Sequence, residues 1–102
     1  MLHIMVVDDE APIRDWLVYC IQKCEAASSV TSAVNGEEAY LRILEQKPNV
    51  VFTDIRMPGM DGLALLKQIK QRHPMLPVII MTAHSDLDAA VSAYQQGAFD
   101  YL

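Results

Sequence analysis

The sequence predicts an α/β fold in which a parallel sheet is covered by helices. Short apolar runs alternate with stretches whose apolar residues recur every three or four positions. The apolar runs are mostly continuous, which is typical of strands buried on both faces. The resulting order, β-α-β-α-β-α-β-α-β, predicts parallel strands joined by right-handed crossovers. With 102 residues, of which 52% are hydrophobic, the chain is expected to form one domain with a substantial core.

The first predicted strand, residues 2–7, leads into a helix with Pro12 in its first turn, where a missing N–H costs nothing. One face of this helix carries an apolar stripe: Ile13, Trp16, Leu17, Cys20, Ile21 and Cys24. This pattern predicts that Trp16 packs in the core. Cys20 and Cys24 are interpreted as core thiols in a reduced, cytoplasmic protein, because no further cysteine completes a metal site.

The second strand is predicted at residues 30–34 and reads as a sheet edge, because polar residues interrupt it. Asn35 and Glu38 have the spacing of a capping box and predict the start of the second helix. That helix is expected to end before Pro48, since the residue before a proline disfavours helical geometry.

The second half of the chain repeats the alternation. A third strand is predicted at residues 50–53, and Asp61 is expected to cap the third helix. A fourth strand follows at 77–81. Ser85 opens a second capping box and a fourth helix, and a fifth strand begins at residues 99–102.

The charge of the chain limits its partners. A net charge of −5 disfavours direct binding to nucleic acid and to membrane surfaces, both of which attract basic faces. No apolar run approaches the roughly 18 residues of a membrane span. The start of the chain lacks the basic and apolar segments of a secretory signal.

Acidic residues follow two of the predicted strands. Asp8, Asp9 and Glu10 follow the first strand, and Asp54 ends the third. Neighbouring parallel strands bring such residues to one carboxyl edge of the sheet, where ligands bind in open α/β folds. Clustered carboxylates repel and favour a hard cation such as Mg²⁺. The alternative, that these acids only cap the first helix, needs one acid rather than four. Thr82 ends the fourth strand at the same edge, where its hydroxyl is placed to donate to a phosphate.

Four motifs resemble those of the receiver domain of two-component response regulators, and the match covers the whole chain. In order they are Asp8-Asp9-Glu10, Asp54 with Met57-Pro58-Gly59-Met60-Asp61-Gly62, Thr82-Ala83, and Gly97-Ala98-Phe99-Asp100-Tyr101. The resemblance implies a flavodoxin-like sheet in the order 2-1-3-4-5. From Asp54 onward the chain is especially similar to nitrogen-regulation response regulators of the enhancer-binding type, which control transcription. The segment before about residue 49 resembles them less, and the chain is therefore also considered as a chimera of two receivers.

The resemblance implies a role for each matched residue. Asp54 would be the phosphoacceptor for a sensor histidine kinase, Thr82 would bond a phosphate oxygen, and Tyr101 would be the switch aromatic. The implied Mg²⁺ ligands are Asp8, Asp9, Asp54 and the backbone carbonyl of Arg56. Such a domain is a phosphoacceptor switch rather than a turnover enzyme.

The chain departs from the family pattern at its C-terminal end. Receivers carry a Lys shortly after the fifth strand begins, followed by a fifth helix, whereas this sequence ends at Leu102. In a truncated receiver, phosphorylation of Asp54 is expected to be slow or undetectable. Such a receiver is also expected to cover its apolar face by forming a homodimer, with a hinge for segment exchange at residues 55–60.

Two alternative functions remain open. In the first, the chain is a folding or dimerisation module without phosphotransfer. In the second, it is a Mg²⁺-dependent phosphatase with Asp54 as nucleophile. Phosphatases of the haloacid-dehalogenase type use a second Asp, two residues after the nucleophile, as general acid. This chain has Arg56 at that position, which argues against a phosphatase.

Overall fold

Five parallel strands and three helices make up the part of the chain that the computed structural model describes, namely residues 2–23, 27–55, 57, 59–81, 97 and 100–101. The strands are β1 (Leu2–Val7), β2 (Ala27–Ala33), β3 (Val50–Asp54), β4 (Val78–Met81) and β5 (Asp100–Tyr101). The helices are α1 (Ala11–Gln22), α2 (Gly36–Gln46) and α3 (Gly62–Arg72). The predicted fourth helix, which begins at Ser85, lies outside the described residues.

The strand order is β2-β1-β3-β4-β5, which confirms the flavodoxin-like arrangement. Asn49 sets the register at the start of β3. Its side chain accepts a hydrogen bond from the His3 N–H at 2.8 Å, and its own N–H donates to the His3 carbonyl at 2.7 Å. At the other end of these strands, Val7 of β1 pairs with Thr53 of β3. The residues that follow β1 therefore lie next to the last residue of β3.

Strand β2 begins three residues earlier than the predicted bounds of 30–34. Its first residues are small and mostly polar, so hydrophobicity does not predict a strand there. In the structure their backbone pairs with β1, with Ala27 opposite Leu2 and Ser29 opposite His3. Backbone pairing at a sheet edge does not require apolar side chains, so hydrophobicity alone misses such residues.

The core lies between the central strands and helices α2 and α3. Its fully buried side chains include Met5, Val7, Ile43, Val51, Leu65, Leu66, Ile69, Val78 and Ile80. Both helix starts are capped as predicted, with the Asn35 side chain accepting from the Glu38 N–H and the Asp61 side chain from the Ala64 N–H, each at 2.8 Å. These caps fix where α2 and α3 leave the edge of the sheet that carries Asp54.

Helix α1 is much more exposed than its apolar stripe predicts. It contains no buried residue, and Trp16 is 62% exposed. The prediction that Trp16 packs in the core is therefore wrong, and so is the prediction of a core thiol at Cys20, which is exposed. The second thiol, Cys24, lies outside the described residues. Periodicity identifies which face of a helix is apolar, but it does not show whether another element covers that face.

Among the described helices, none has the length and apolar character that a membrane crossing requires.

Candidate functional site

Three aspartates meet at the carboxyl edge of the sheet. Asp8, Asp9 and Asp54 each offer a carboxylate oxygen, and these oxygens all lie within 4.8 Å of one another. Asp8 is buried, Asp54 is half-buried and Asp9 is exposed, so the cluster opens to solvent on one side. The pairing of Val7 with Thr53 explains the arrangement, because each residue immediately precedes an aspartate of the cluster.

The fourth acid, Glu10, is not part of the three-aspartate cluster and has a structural role. It is the N-cap residue of α1, but its side chain makes no capping hydrogen bond. Its backbone N–H donates to the Asp8 Oδ1 atom at 2.9 Å and so turns that carboxylate toward the start of the helix. This geometry does not support the alternative that the acids after β1 serve only as a helix cap.

Arg14 contributes a positive charge that the sequence interpretation missed. Its Nη1 atom donates to the backbone carbonyl of Asp8 at 2.9 Å, and its charge favours the ionised form of the Asp8 carboxylate. The spacing of Arg14 in the sequence could have predicted this contact. Arg14 lies one helical turn after Glu10 and therefore near the helix end that faces the acids.

The pKa of Asp8 lies above its usual range, chiefly because burial of the carboxylate disfavours its charged form. The charges of Asp54 and Asp9 raise the pKa further. The hydrogen bond from the Glu10 N–H and the charge of Arg14 act in the opposite direction. The carboxylates of this site are thus held together against their mutual repulsion.

Asp54 is held at the end of β3 by its immediate neighbours. Its Oδ1 atom accepts a hydrogen bond from the Ile55 N–H at 2.7 Å, and its carbonyl accepts one from the Thr53 hydroxyl at 3.0 Å. Helix α3 begins directly against this strand end. A Cβ atom at Gly62 would lie 2.1 Å from the Asp54 carbonyl oxygen, so only glycine fits there.

The remaining predicted site residues lie partly or wholly outside the described part of the chain. Thr82 and Arg56 are not among the described residues. The backbone of Tyr101 pairs with Ile80 in the sheet, but its side chain is outside the description. Their functional roles stay predictions.

The donor set of the cluster fits a hard divalent cation. Three carboxylates offer oxygen ligands, and the exposed side leaves room for waters and for a phosphate oxygen, which is the coordination that Mg²⁺ prefers. A bound dication would also offset the repulsion that raises the pKa of Asp8.

Comparisons with known proteins identify the family of this chain. The family model for the response regulator receiver domain matches residues 4–102. The chain is 62% identical over 101 residues to the DNA-binding transcriptional regulator NtrC of Salmonella typhimurium, a match that covers 97% of this chain and 21% of that protein. The chain therefore spans about a fifth of the length of the curated relatives it matches.

Solved structures show the same fold. The crystal structure of NtrX from Brucella abortus matches with a TM-score of 0.88 and 42% identity, covering 99% of this chain and 22% of that chain. A DNA-binding response regulator of the LuxR family from Staphylococcus aureus matches with a TM-score of 0.93 and 29% identity, covering 100% of this chain and 85% of that chain.

The similarity to NtrC extends over nearly the whole chain. The expectation of a chimera of two receivers therefore has no support in these comparisons.

Proposed function

The chain belongs to the response regulator receiver domain family, and from that membership we propose that Asp54 accepts a phosphoryl group from a sensor histidine kinase. The observation that carries the proposal is the meeting of Asp8, Asp9 and Asp54 within 4.8 Å at the end of β3. In this proposal residues 1–102 act as one receiver domain and a switch, in the cytoplasm where the kinase presents its phosphohistidine.

The proposed reaction is an in-line transfer. A carboxylate oxygen of Asp54 forms the new O–P bond as the P–N bond of the phosphohistidine breaks. The electron pair of that bond stays on the histidine nitrogen, which takes up a proton. Little covalent chemistry is asked of the protein, so positioning and charge supply most of the rate. The Ile55 N–H donates to the Asp54 Oδ1 atom and so helps to orient the carboxylate.

Asp8, Asp9, Asp54 and the backbone carbonyl of Arg56 would hold Mg²⁺. When bound, the ion neutralises charge on the transferring phosphoryl group. Asp8 is already deprived of water by burial, and Arg14 bonds the carbonyl of the same residue. The chain thus keeps its most buried ligand in place before any ion arrives, which lowers the ordering cost of binding.

Thr82 would bond a phosphate oxygen after transfer, and Tyr101 would act as the switch aromatic. Both assignments rest on the family motifs that these residues match. Phosphorylation would then bias two conformations of the domain.

We place this switch in a two-component system that controls transcription, of the nitrogen-regulation type. The support is the 62% identity to NtrC, a DNA-binding transcriptional regulator. This segment itself has a net charge of −5, so contact with DNA would fall to other parts of such a protein.

Electrophoresis in a gel that retards phosphoproteins tests the proposal. Incubation with acetyl phosphate and Mg²⁺ should retard the parent chain but not Asp54→Asn, and omission of Mg²⁺ should abolish the shift. Asp15→Asn is the matched control, because it removes an exposed aspartate of α1 that is not part of the cluster. Retardation of Asp54→Asn to the same extent as the parent would contradict the assignment. Hydrolysis of a phosphate monoester over many turnovers would instead favour the phosphatase alternative.

We also propose that the chain forms a homodimer through α1. Ile13, Trp16 and Cys20 recur along one side of this helix, and all three are exposed. A symmetric pair would cover the same apolar stripe on both copies. Light scattering after gel filtration should give twice the chain mass, and Trp16→Ser should give the monomer. A parent that is monomeric at high concentration would contradict the dimer. Segment exchange at residues 55–60 stays a prediction.

A further inference from the structure

The loop between β3 and α3 contacts the first turn of α2 through Gly59 and Met60. Glu37 makes the contact. Its Oε1 atom accepts a hydrogen bond from the Met60 N–H at 2.9 Å, across 23 residues of sequence. Glu37 is exposed and takes no part in capping its own helix, which is done by Asn35. Its side chain therefore bonds a residue outside α2, and the capping of α2 does not depend on that bond.

Two glycines make this approach sterically feasible. Gly59 has a φ angle of +73°, and a Cβ atom there would lie 2.7 Å from the Glu37 Oε1 atom. A Cβ atom at Gly36 would lie 2.4 Å from the Met60 carbonyl oxygen. Backbone therefore lies directly on backbone where the loop crosses the start of α2, and only small shifts are tolerated.

The other end of the loop is tied to the acid site. The Ile55 N–H donates to the Asp54 carboxylate, and the Ile55 carbonyl accepts from the Gly62 N–H at 3.0 Å. Ile55 and Met57 are buried in the core. The loop is thus held at its start by Asp54 and the core, and near its end by Glu37.

We propose that Glu37 is a positioning residue for the acid site, acting through the backbone of residues 60–62 and their hydrogen bond to Ile55. It touches neither the aspartates nor the reacting atoms. Its carboxylate restrains the Met60 N–H, and the backbone of Asp61 and Gly62 passes that restraint to the Ile55 carbonyl. The Ile55 N–H in turn bonds the Asp54 carboxylate. The inference rests on the proposed function, because the expected result is a better-formed site for Mg²⁺ and for the phosphoryl group.

Three variants separate positioning from general effects. Glu37→Ala removes the acceptor, whereas Glu37→Gln keeps a carbonyl oxygen at the same distance along the side chain. Glu38→Ala is the matched control, since it removes the same charge from the same helical turn. The Glu38 carboxylate pairs with Arg42 of its own helix at 3.0 Å.

Two readouts from nuclear magnetic resonance test the proposal, with and without metal. Hydrogen exchange at the Met60 and Gly62 amides, measured without Mg²⁺, should be roughly threefold to tenfold faster in Glu37→Ala, as expected for the loss of one solvent-exposed hydrogen bond. The dissociation constant for Mg²⁺, measured from the amide shifts of Asp9 and Ile55, should rise by a similar factor. Glu37→Gln should restore most of both values, and Glu38→Ala should leave both unchanged.

The outcomes distinguish this proposal from the proposed function. Unchanged Met60 exchange in Glu37→Ala would overturn the positioning role, and so would faster exchange with an unchanged Mg²⁺ affinity. A parent chain that binds no Mg²⁺ would contradict the proposed function. In that case, faster exchange at Gly62 in Glu37→Ala would still support restraint of the loop, and unchanged exchange would refute it.

Discussion

Replacing the buried aspartate of the cluster should stabilise the protein when no metal is present. Carboxylate oxygens of Asp8 and Asp54 lie within 4.8 Å of each other. Two unit charges at that separation repel by roughly 3.5 kcal/mol at an effective dielectric constant of about 20, and by about 0.9 kcal/mol in water. Asp8 is buried and Asp54 is half-buried, so the site lies between these limits. Asp8→Asn is therefore expected to raise the free energy of unfolding at neutral pH by about 1–3 kcal/mol.

The pH dependence of this gain has a definite sign. Burial, and then the charges of Asp54 and Asp9, raise the pKa of Asp8 in the folded state. The folded protein therefore binds this proton more tightly than the unfolded chain. The stability of the parent should fall as pH rises from the unfolded pKa of about 3.9 through the raised folded pKa. The advantage of Asp8→Asn should be full above that interval and vanish below it.

Urea unfolding over a pH series measures the free energy of unfolding of variant and parent. Subtracting one from the other removes the contribution of groups that titrate equally in both proteins. Asp15→Asn is the control. It removes an exposed charge from α1 and should change the free energy of unfolding by less than about 0.5 kcal/mol. Mg²⁺ should reduce the difference between variant and parent, because only the parent keeps all three carboxylates. At about ten times its dissociation constant, the ion should stabilise the parent by about 1.4 kcal/mol. A variant less stable than the parent at neutral pH, or an advantage that grows on acidification, would refute the reasoning.

Two further predictions concern the same edge of the sheet. Asp9→Asn should weaken Mg²⁺ binding about tenfold, equivalent to about 1.4 kcal/mol, because it removes a charged ligand. Calorimetric titration measures the dissociation constant, and an affinity equal to that of the parent would rule Asp9 out as a ligand. Gly62→Ala should cost about 3 kcal/mol or more, since its Cβ atom would lie 2.1 Å from the Asp54 carbonyl oxygen. Thermal unfolding checks this loss against Gln68→Ala, an exposed position on the same helix that should be nearly neutral.

Much of the fold follows from local patterns in the sequence. The central strands are continuous apolar runs; residues 4–7 of β1 are buried on both faces, whereas β3 and β4 alternate between buried and half-buried residues. Asn35 and Asp61 cap helices because their side chains reach backbone donors three residues away. The meeting of Asp8 with Asp54 follows from strand adjacency, since the carboxyl ends of parallel neighbours share one edge.

The features that were missed depend on what lies across space. The apolar stripe of α1 predicts burial of Trp16, but an amphipathic pattern does not report whether another element covers it. Arg14 and Glu37 each act through a backbone atom of another element. Such contacts leave no periodic signal, because any residue type can supply the backbone partner.

The central claim is that Asp54 is the phosphoacceptor, and chemical trapping of the acyl phosphate tests it most directly. After long incubation with acetyl phosphate and Mg²⁺, borohydride reduction converts a phosphorylated aspartate into homoserine, which mass spectrometry of peptides locates. The account predicts homoserine at position 54 and none in the control without Mg²⁺. Homoserine at Asp8 or Asp9 instead, or at no aspartate of the chain, would contradict it.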